Sequence, residues 1–202
     1  MHTADHSVIP DYGDCMELMT RYQMPAHVVR HSQVVSVLAL HMAQGFKKTG
    51  ISMDLGLVRA SGLLHDITKM YSFDRPLDHA LTGAKLLKKL GYARVAEIVR
   101  QHVRLSPSRP PGRISEAEVV NYADKRVVND QVTSLAERCR YIINRYAKTP
   151  EARSWIDLYT RKIFELEMEI FSIIPGGPDQ LLNLNTDPDE LPRFIEHALD
   201  DS

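Results

Sequence analysis

A chain of 202 residues with 44% apolar side chains is long enough for one substantial core, and its composition excludes collagen-like, disordered and disulfide-scaffold classes. Twenty-five basic and 26 acidic residues leave a formal net charge of -1, so no global positive field draws it to nucleic acid or anionic lipid, and local patches must carry any anion preference. Cys15 and Cys139 lie far apart without metal-ligand spacing, the N-terminus lacks the pattern of a signal peptide, and no apolar run is of bilayer length, which together read as a cytoplasmic protein.

Apolar residues recur at helical spacing almost throughout, as in Val34, Leu38 and Met42, and the expected fold class is all-α. Breakers at Pro25, Gly50, Asp74 to Pro76, Gly91, Pro107 to Gly112, Pro150 and Pro175 to Pro178 divide the chain. The pattern predicts helices over 12–23, 26–48, 53–70, 78–90, 93–104, 115–128, 131–147, 151–173 and 189–199. Ser115 to Glu118 has the Ser-x-x-Glu form of a capping box, so a helix should start there and carry Asp124 on its third turn. Between Trp155 and Ile173 a stripe of Trp155, Tyr159, Ile163, Leu166, Ile170 and Ile173 should pack on the core, a homodimer interface being the alternative.

Nine histidines make one His-Asp dipeptide unremarkable, but His65-Asp66 closes an apolar helical stretch, Ala60 to Leu64, which places two polar side chains at the edge of the core. Buried charge needs a partner, and a divalent cation compensates a carboxylate while accepting an imidazole lone pair. His31 lies on or beside the apolar face made by Val28, Val34, Val35 and Leu38, and Asp124 follows Val119 and Val120 and precedes Val127. Singly, each reads as a satisfied core residue or a solvated one. Convergence explains four such residues on three helices better than a purely structural helical protein does.

The order His31, His65-Asp66, Asp124 resembles the H...HD...D signature of the HD-domain metal-dependent phosphohydrolases, over roughly residues 26 to 130. Gly62 to Lys69 resembles the apolar-HD-x-x-K block of that family, and Asn121 to Lys125 its A-D block. His79 and His102 fall in segments similar to the intermediate histidine blocks of the bacterial HD-type diadenosine tetraphosphatase group, where they would ligate a second ion. The alternative readings are a helix N-terminal residue for His79 and a helix C-terminal cation for His102. The implied organisation is a tail and helix over 1–25, an HD core over 26–130 and C-terminal helices over 131–202 packing on it.

The resemblance implies that Asp66 bridges two ions, that Asp124 completes the first ion's set, and that water between the ions is acidified for in-line attack on phosphorus. Iron and manganese are the favoured ions, with zinc, magnesium and cobalt also compatible with imidazole and carboxylate ligands. Lys69, one turn after Asp66 on a continuing helix, would neutralise charge on the phosphoryl oxygens, or else is a solvated helix-end lysine. Arg104, Arg109 and Arg113, on the proline-stiffened loop after His102, offer forks for a small phosphorylated substrate such as a nucleotide or dinucleotide; their alternative role is solubility. A catalytically weak HD module that binds metal and nucleotide for sensing is the rival function. Thr68 stands where the HDIG variant has Gly, which argues against cyclic dinucleotides.

Overall fold

In the computed structural model, which describes residues 8–72, 78–106 and 113–199, the chain is all-α apart from one two-stranded hairpin. The helices are α1 Tyr12–Arg21, α2 Ala26–Lys48, α3 Leu55–Leu64, α4 His79–Lys89, α5 Ala93–Gln101, α6 Glu116–Lys125, α7 Leu135–Tyr146, α8 Pro150–Ile173 and α9 Leu191–His197. Strands β1 Val127–Val128 and β2 Gln131–Val132 pair antiparallel between α6 and α7.

The centre of the bundle is α2, which packs against α3, α6 and α9 and is buried on most of its circumference. That burial follows from its composition: beside Val34, Val35, Leu38 and Met42, its polar positions Ser32 and Ser36 are small enough to let neighbouring backbones approach. The closest approach is at Gly62 of α3, where a Cβ atom would lie 2.8 Å from the Ser36 Cα. Only a residue without a side chain fits there, and the crossing places the end of α3 beside His31 of α2.

Local chemistry starts the helices that carry the site. Asp54 caps α3 by accepting from the Leu57 N–H, and Asp78 caps α4 by accepting from the Ala80 and Leu81 N–H groups. At α6 the expected capping box is formed, with the Ser115 hydroxyl on the Glu118 N–H and the Glu118 carboxylate on the Ser115 N–H.

Three expectations from spacing need correction. The helix expected over 53–70 ends at Leu64; His65 to Lys69 form tight turns, with Ile67 N–H donating to Leu64 O and Lys69 N–H to Asp66 O, before a 3-10 turn at Met70–Ser72. The apolar run cannot register this tightening, because it changes which backbone carbonyl is used and not which side chains are buried. The helices expected over 115–128 and 131–147 are separated by the hairpin, whose two-residue loop starts with Asn129 at φ 57°. In α8 the inward residue at the first turn of the stripe is Ile156, while Trp155 stands half exposed, stacked on Tyr159 at 5.5 Å between ring centres.

The C-terminal helices are tied to α6 by a buried polar clamp. Arg126, 1% exposed, donates from Nε to Thr133 O, from one terminal nitrogen to the Tyr122 hydroxyl and from the other to Pro178 O, and it lies 3.4 Å from the Glu167 carboxylate of α8. Tyr122 in turn donates to Glu167. Below the clamp, Ile163, Leu166 and Ile170 of α8 join the same apolar core as Val119 and Val120 of α6.

Candidate metal centre

Six of the residues singled out by sequence meet at one place. His31 comes from α2, His65 and Asp66 from the turn after α3, His79 from the first residue of α4, His102 from the end of α5 and Asp124 from α6. All but His79 are buried, and His79 is partly exposed at the edge.

The ligand-type atoms fall into two triads, His31, His65 and Asp124 in one and Asp66, His79 and His102 in the other. In the first, the His31 Nε2 is 3.1 Å and the His65 Nε2 3.6 Å from Asp124 Oδ1. In the second, the His79 and His102 Nε2 atoms are 3.1 Å apart and lie 3.5 and 3.6 Å from Asp66 Oδ1. Ligand atoms about 2.1 Å from one ion stand roughly 3.0 to 3.4 Å apart at octahedral and tetrahedral angles, and the distances in both triads, 3.1 to 3.6 Å, lie close to that spacing. The other oxygen of Asp66, Oδ2, lies 3.4 Å from the His65 Nε2 and 3.9 Å from the His31 Nε2. One carboxylate thus turns an oxygen toward each triad.

The imidazoles are held in the tautomer that a metal needs. His31 Nδ1 donates to Asn129 O at 2.6 Å, His65 Nδ1 to Gly62 O at 2.8 Å and His102 Nδ1 to Val99 O at 2.7 Å. A carbonyl oxygen only accepts, so each Nδ1 carries a proton and Nε2 is the nitrogen that faces the site, free to present a lone pair once any proton it shares with the carboxylates is displaced. The His65 Nε2 is buried and has no hydrogen-bond partner. A buried ring nitrogen facing two buried carboxylates is costly unless positive charge sits between them, which a proton on His65 supplies without a metal and a divalent cation supplies with one.

The electrostatics point the same way. Burial alone would lower the His65 pKa, but the carboxylates of Asp66 and Asp124 outweigh it and hold the imidazole up to about 10. Burial would raise both carboxyls, yet His65 and His102 drive Asp66 well below the ordinary carboxylate range, and Lys125 and His31 do the same for Asp124. Burial and the neighbouring His102 push His79 down to about 4, and burial lowers His102, so this pair is neutral at neutral pH. Without a cation the first triad therefore holds a proton on His65, and a metal ion must displace it. Near neutral pH, calorimetry in buffers of different ionisation enthalpy should find about one proton released at this triad, with apparent affinity rising about tenfold per pH unit. Affinity independent of pH would remove His65 from the ligand set.

Four supporting residues escaped the sequence reading. Lys125, buried, donates to Asp124 Oδ2 at 2.5 Å and to His102 O at 2.9 Å, and Asn121 donates to the same carbonyl at 2.8 Å, so α6 grips the end of α5. Thr68 donates to His79 O at 2.8 Å, which fixes the start of α4 over the site. Asn129 holds His31 from the hairpin tip, which Arg30 and Asp130 tie to α2 by an ion pair of 3.0 Å. Two short β-branched runs around Asn129-Asp130 were the available signal for this hairpin.

Lys69 reaches Asp66 Oδ2 at 2.6 Å, although the helix expected to carry it has ended. In the tighter turn, side chains three apart eclipse, which brings the ammonium over the carboxylate by a different route. Arg104 and Arg113 are exposed, and Arg109 lies outside the described residues. His27 is exposed, and His41 is partly buried near Gln180 of the C-terminal segment, to which α2 turns that side.

The HD domain family model matches residues 28–129, half of the chain. A tRNA (cytidine(56)-2'-O)-methyltransferase of Thermoplasma volcanium is 29% identical, over 70% of this chain and 42% of its own length. An uncharacterised protein of Methanocaldococcus jannaschii is 37% identical over 38% of this chain and 45% of its own. Ribonuclease Y of Nitratidesulfovibrio vulgaris is 30% identical over 59% of this chain and 22% of its own. The chain thus spans less than half the length of these curated relatives. No solved structure matches it.

Proposed function

The chain belongs to the HD-domain family, and from that premise we propose that it is a metal-dependent hydrolase of a phosphate ester or anhydride in a nucleotide-containing substrate. The observation that carries this reading is the pair of adjoining triads with one oxygen of Asp66 turned toward each. Bound there, divalent cations would supply Lewis acidity toward a phosphoryl oxygen and an acidified water. His31, His65, Asp66 and Asp124 would hold the first ion, and His79 and His102, sharing Asp66, the second. The donor set fits iron or manganese and does not choose between them and zinc, magnesium or cobalt.

Around those ions the chain's own residues divide the work. Lys69, nearly half exposed and on Asp66, stands at the mouth, where its ammonium meets the charge of an entering phosphate. Lys125 balances Asp124 from the buried side and cannot reach solvent. Arg104 and Arg113, two and eleven residues after His102, are our candidates for substrate contact from the loop, together with Arg109. Among the described residues no helix is long and apolar enough to cross a membrane. Both cysteines are free and buried, which suits the reducing cytoplasm where we place the protein.

The polyphosphate-bridged dinucleotides suggested by the His79 and His102 blocks rest on those blocks alone, whereas the likeness to ribonuclease Y brings phosphodiesters of polynucleotides into the same reading. The test is reconstitution with iron or manganese followed by assay on a nucleoside monophosphate, a dinucleoside polyphosphate, an alarmone, bis(p-nitrophenyl) phosphate and a short oligonucleotide. We expect turnover that requires metal on at least one of them; a fully loaded protein inert on all would leave the sensing module as the better reading. His79→Ala and His102→Ala should each lose one metal equivalent and keep the fold, and wild-type metal content in both would reduce the site to a single ion.

A further inference from the structure

The segment from α7 into the first half of α8 differs in charge from the rest of the molecule. Residues 135–162 carry seven Lys and Arg against three Asp and Glu, a local charge of +4 in a chain of -1, so the remainder carries -5. Aromatic rings alternate with these cations at helical spacing. On α7, Arg138, Tyr141 and Arg145 stand at i, i+3 and i+7, with the Arg138 guanidinium 5.8 Å from the Tyr141 ring centre. On α8, Trp155, Tyr159 and Lys162 stand at i, i+4 and i+7, with the two rings stacked at an interplanar angle of 10°.

These stripes are not core. Tyr141, Arg145, Trp155 and Lys162 are exposed, while the inward side of α8 is supplied by Ile156, Ile163, Leu166 and Ile170. On α8 the stripe is linked to the metal centre through Tyr159. Helix α8 packs on α6, which carries Asp124, and on α7. Arg138 and Tyr159 are the partly buried members; burial raises the Tyr159 phenol pKa, and the charges of Lys125, Asp124 and Arg138 all act on it.

We infer that the basic and aromatic stripes of α7 and α8 form a track for a single-stranded polynucleotide, with bases stacking on Trp155 and Tyr141 and phosphates meeting Arg138, Arg145 and Lys162. Flat faces are useful only to bases that are not already stacked in a duplex, which selects a single strand. Cations beside those faces track the backbone, and the acidic remainder of the chain confines the polyanion to this side. A second copy of the chain is a poorer occupant, since two faces of +4 repel. The track itself stands on charge and exposure; that it delivers a phosphodiester to the metals rests on the function proposed above.

Trp155 is the sole tryptophan, so its fluorescence reports this surface and no other. The full metal-loaded chain is titrated at low salt with an oligouridylate of about 12 nucleotides, whose integrity is checked on a gel. Tryptophan quenching is expected, with affinity falling steeply as salt rises. By anisotropy of a labelled oligomer, Trp155→Ala should weaken binding about tenfold. Arg145→Gln with Lys162→Gln should shallow the slope of log affinity against log salt by about 1.4, the release expected for two phosphate contacts on a single strand. Metal content and hydrolysis of bis(p-nitrophenyl) phosphate should stay at wild-type level in these variants. Absence of binding at about 100 μM protein, the weak limit of sequence-independent association, would overturn the inference. So would binding that all three substitutions leave unchanged, or a concentration-dependent dimer that buries Trp155. Binding without hydrolysis on any metal would instead sink the proposed function and leave the track standing.

Discussion

Asp66→Ala should abolish both metal occupancy and turnover, a larger effect than loss of any single histidine. Asp66 Oδ2 lies 3.4 Å from the His65 Nε2, and Oδ1 lies 3.5 and 3.6 Å from the Nε2 atoms of His79 and His102, so its removal opens both triads together. It also leaves Lys69 without the carboxylate it meets at 2.6 Å. Metal-derived stabilisation of a phosphoryl transition state is worth several kcal/mol, and kcat/KM should fall by about 10³-fold or more. Elemental analysis and activity are measured on the same preparation, with circular dichroism as the control for folding. Two equivalents of metal retained in a folded Asp66→Ala protein would refute the shared carboxylate.

Arg126→Ala should be the most destabilising single change outside the metal centre. Its guanidinium is buried and contacts Thr133 O, the Tyr122 hydroxyl, Pro178 O and Glu167, so one side chain serves α6, the strand β2 exit, α8 and the segment after it. Truncation removes those bonds and strands a mostly buried carboxylate, at a cost of about 3 to 5 kcal/mol. For a chain of this size that corresponds to a fall in Tm of roughly 6 to 20 °C. Glu167→Gln added to Arg126→Ala should recover part of the loss, because the group left behind is then uncharged. Because Arg126 belongs to neither triad, metal content well below the melting range should be unchanged. A loss under about 1 kcal/mol would mean that the clamp is no stronger than a surface ion pair.

The two effects mark different roles within the molecule. Both residues lie inside the stretch matched by the HD family, but Arg126, near its end, ties that stretch to the segments beyond it. The family match therefore bears on the chemistry of the site more than on what α7 and α8 add to it. The track on α7 and α8 is the feature of this chain that the family match does not reach.

The sequence by itself determined the all-helical class and the capping box at Ser115, and it singled out His31, His65, Asp66, His79, His102 and Asp124 as candidates that the structure brings together. These were legible because side-chain periodicity, cap chemistry and ligand type are properties of residues in order, and polar groups at core-facing positions contradict the pattern around them. What only the tertiary structure decided is how those groups are held. The tautomers of His31, His65 and His102 depend on backbone carbonyls, and every residue has one, so Asn129, Gly62 and Val99 carry no sequence mark of that role. Equally unreadable were the end of α3 at Leu64, where a switch to tighter turns leaves burial periodicity unchanged, and the grip of Lys125 and Asn121 on His102 O. The division of these six ligand-type groups into two triads was likewise a matter of packing. It depends on α2 and α3 crossing at near contact over Gly62 and Ser36, a distance that no single residue specifies and that the whole bundle enforces.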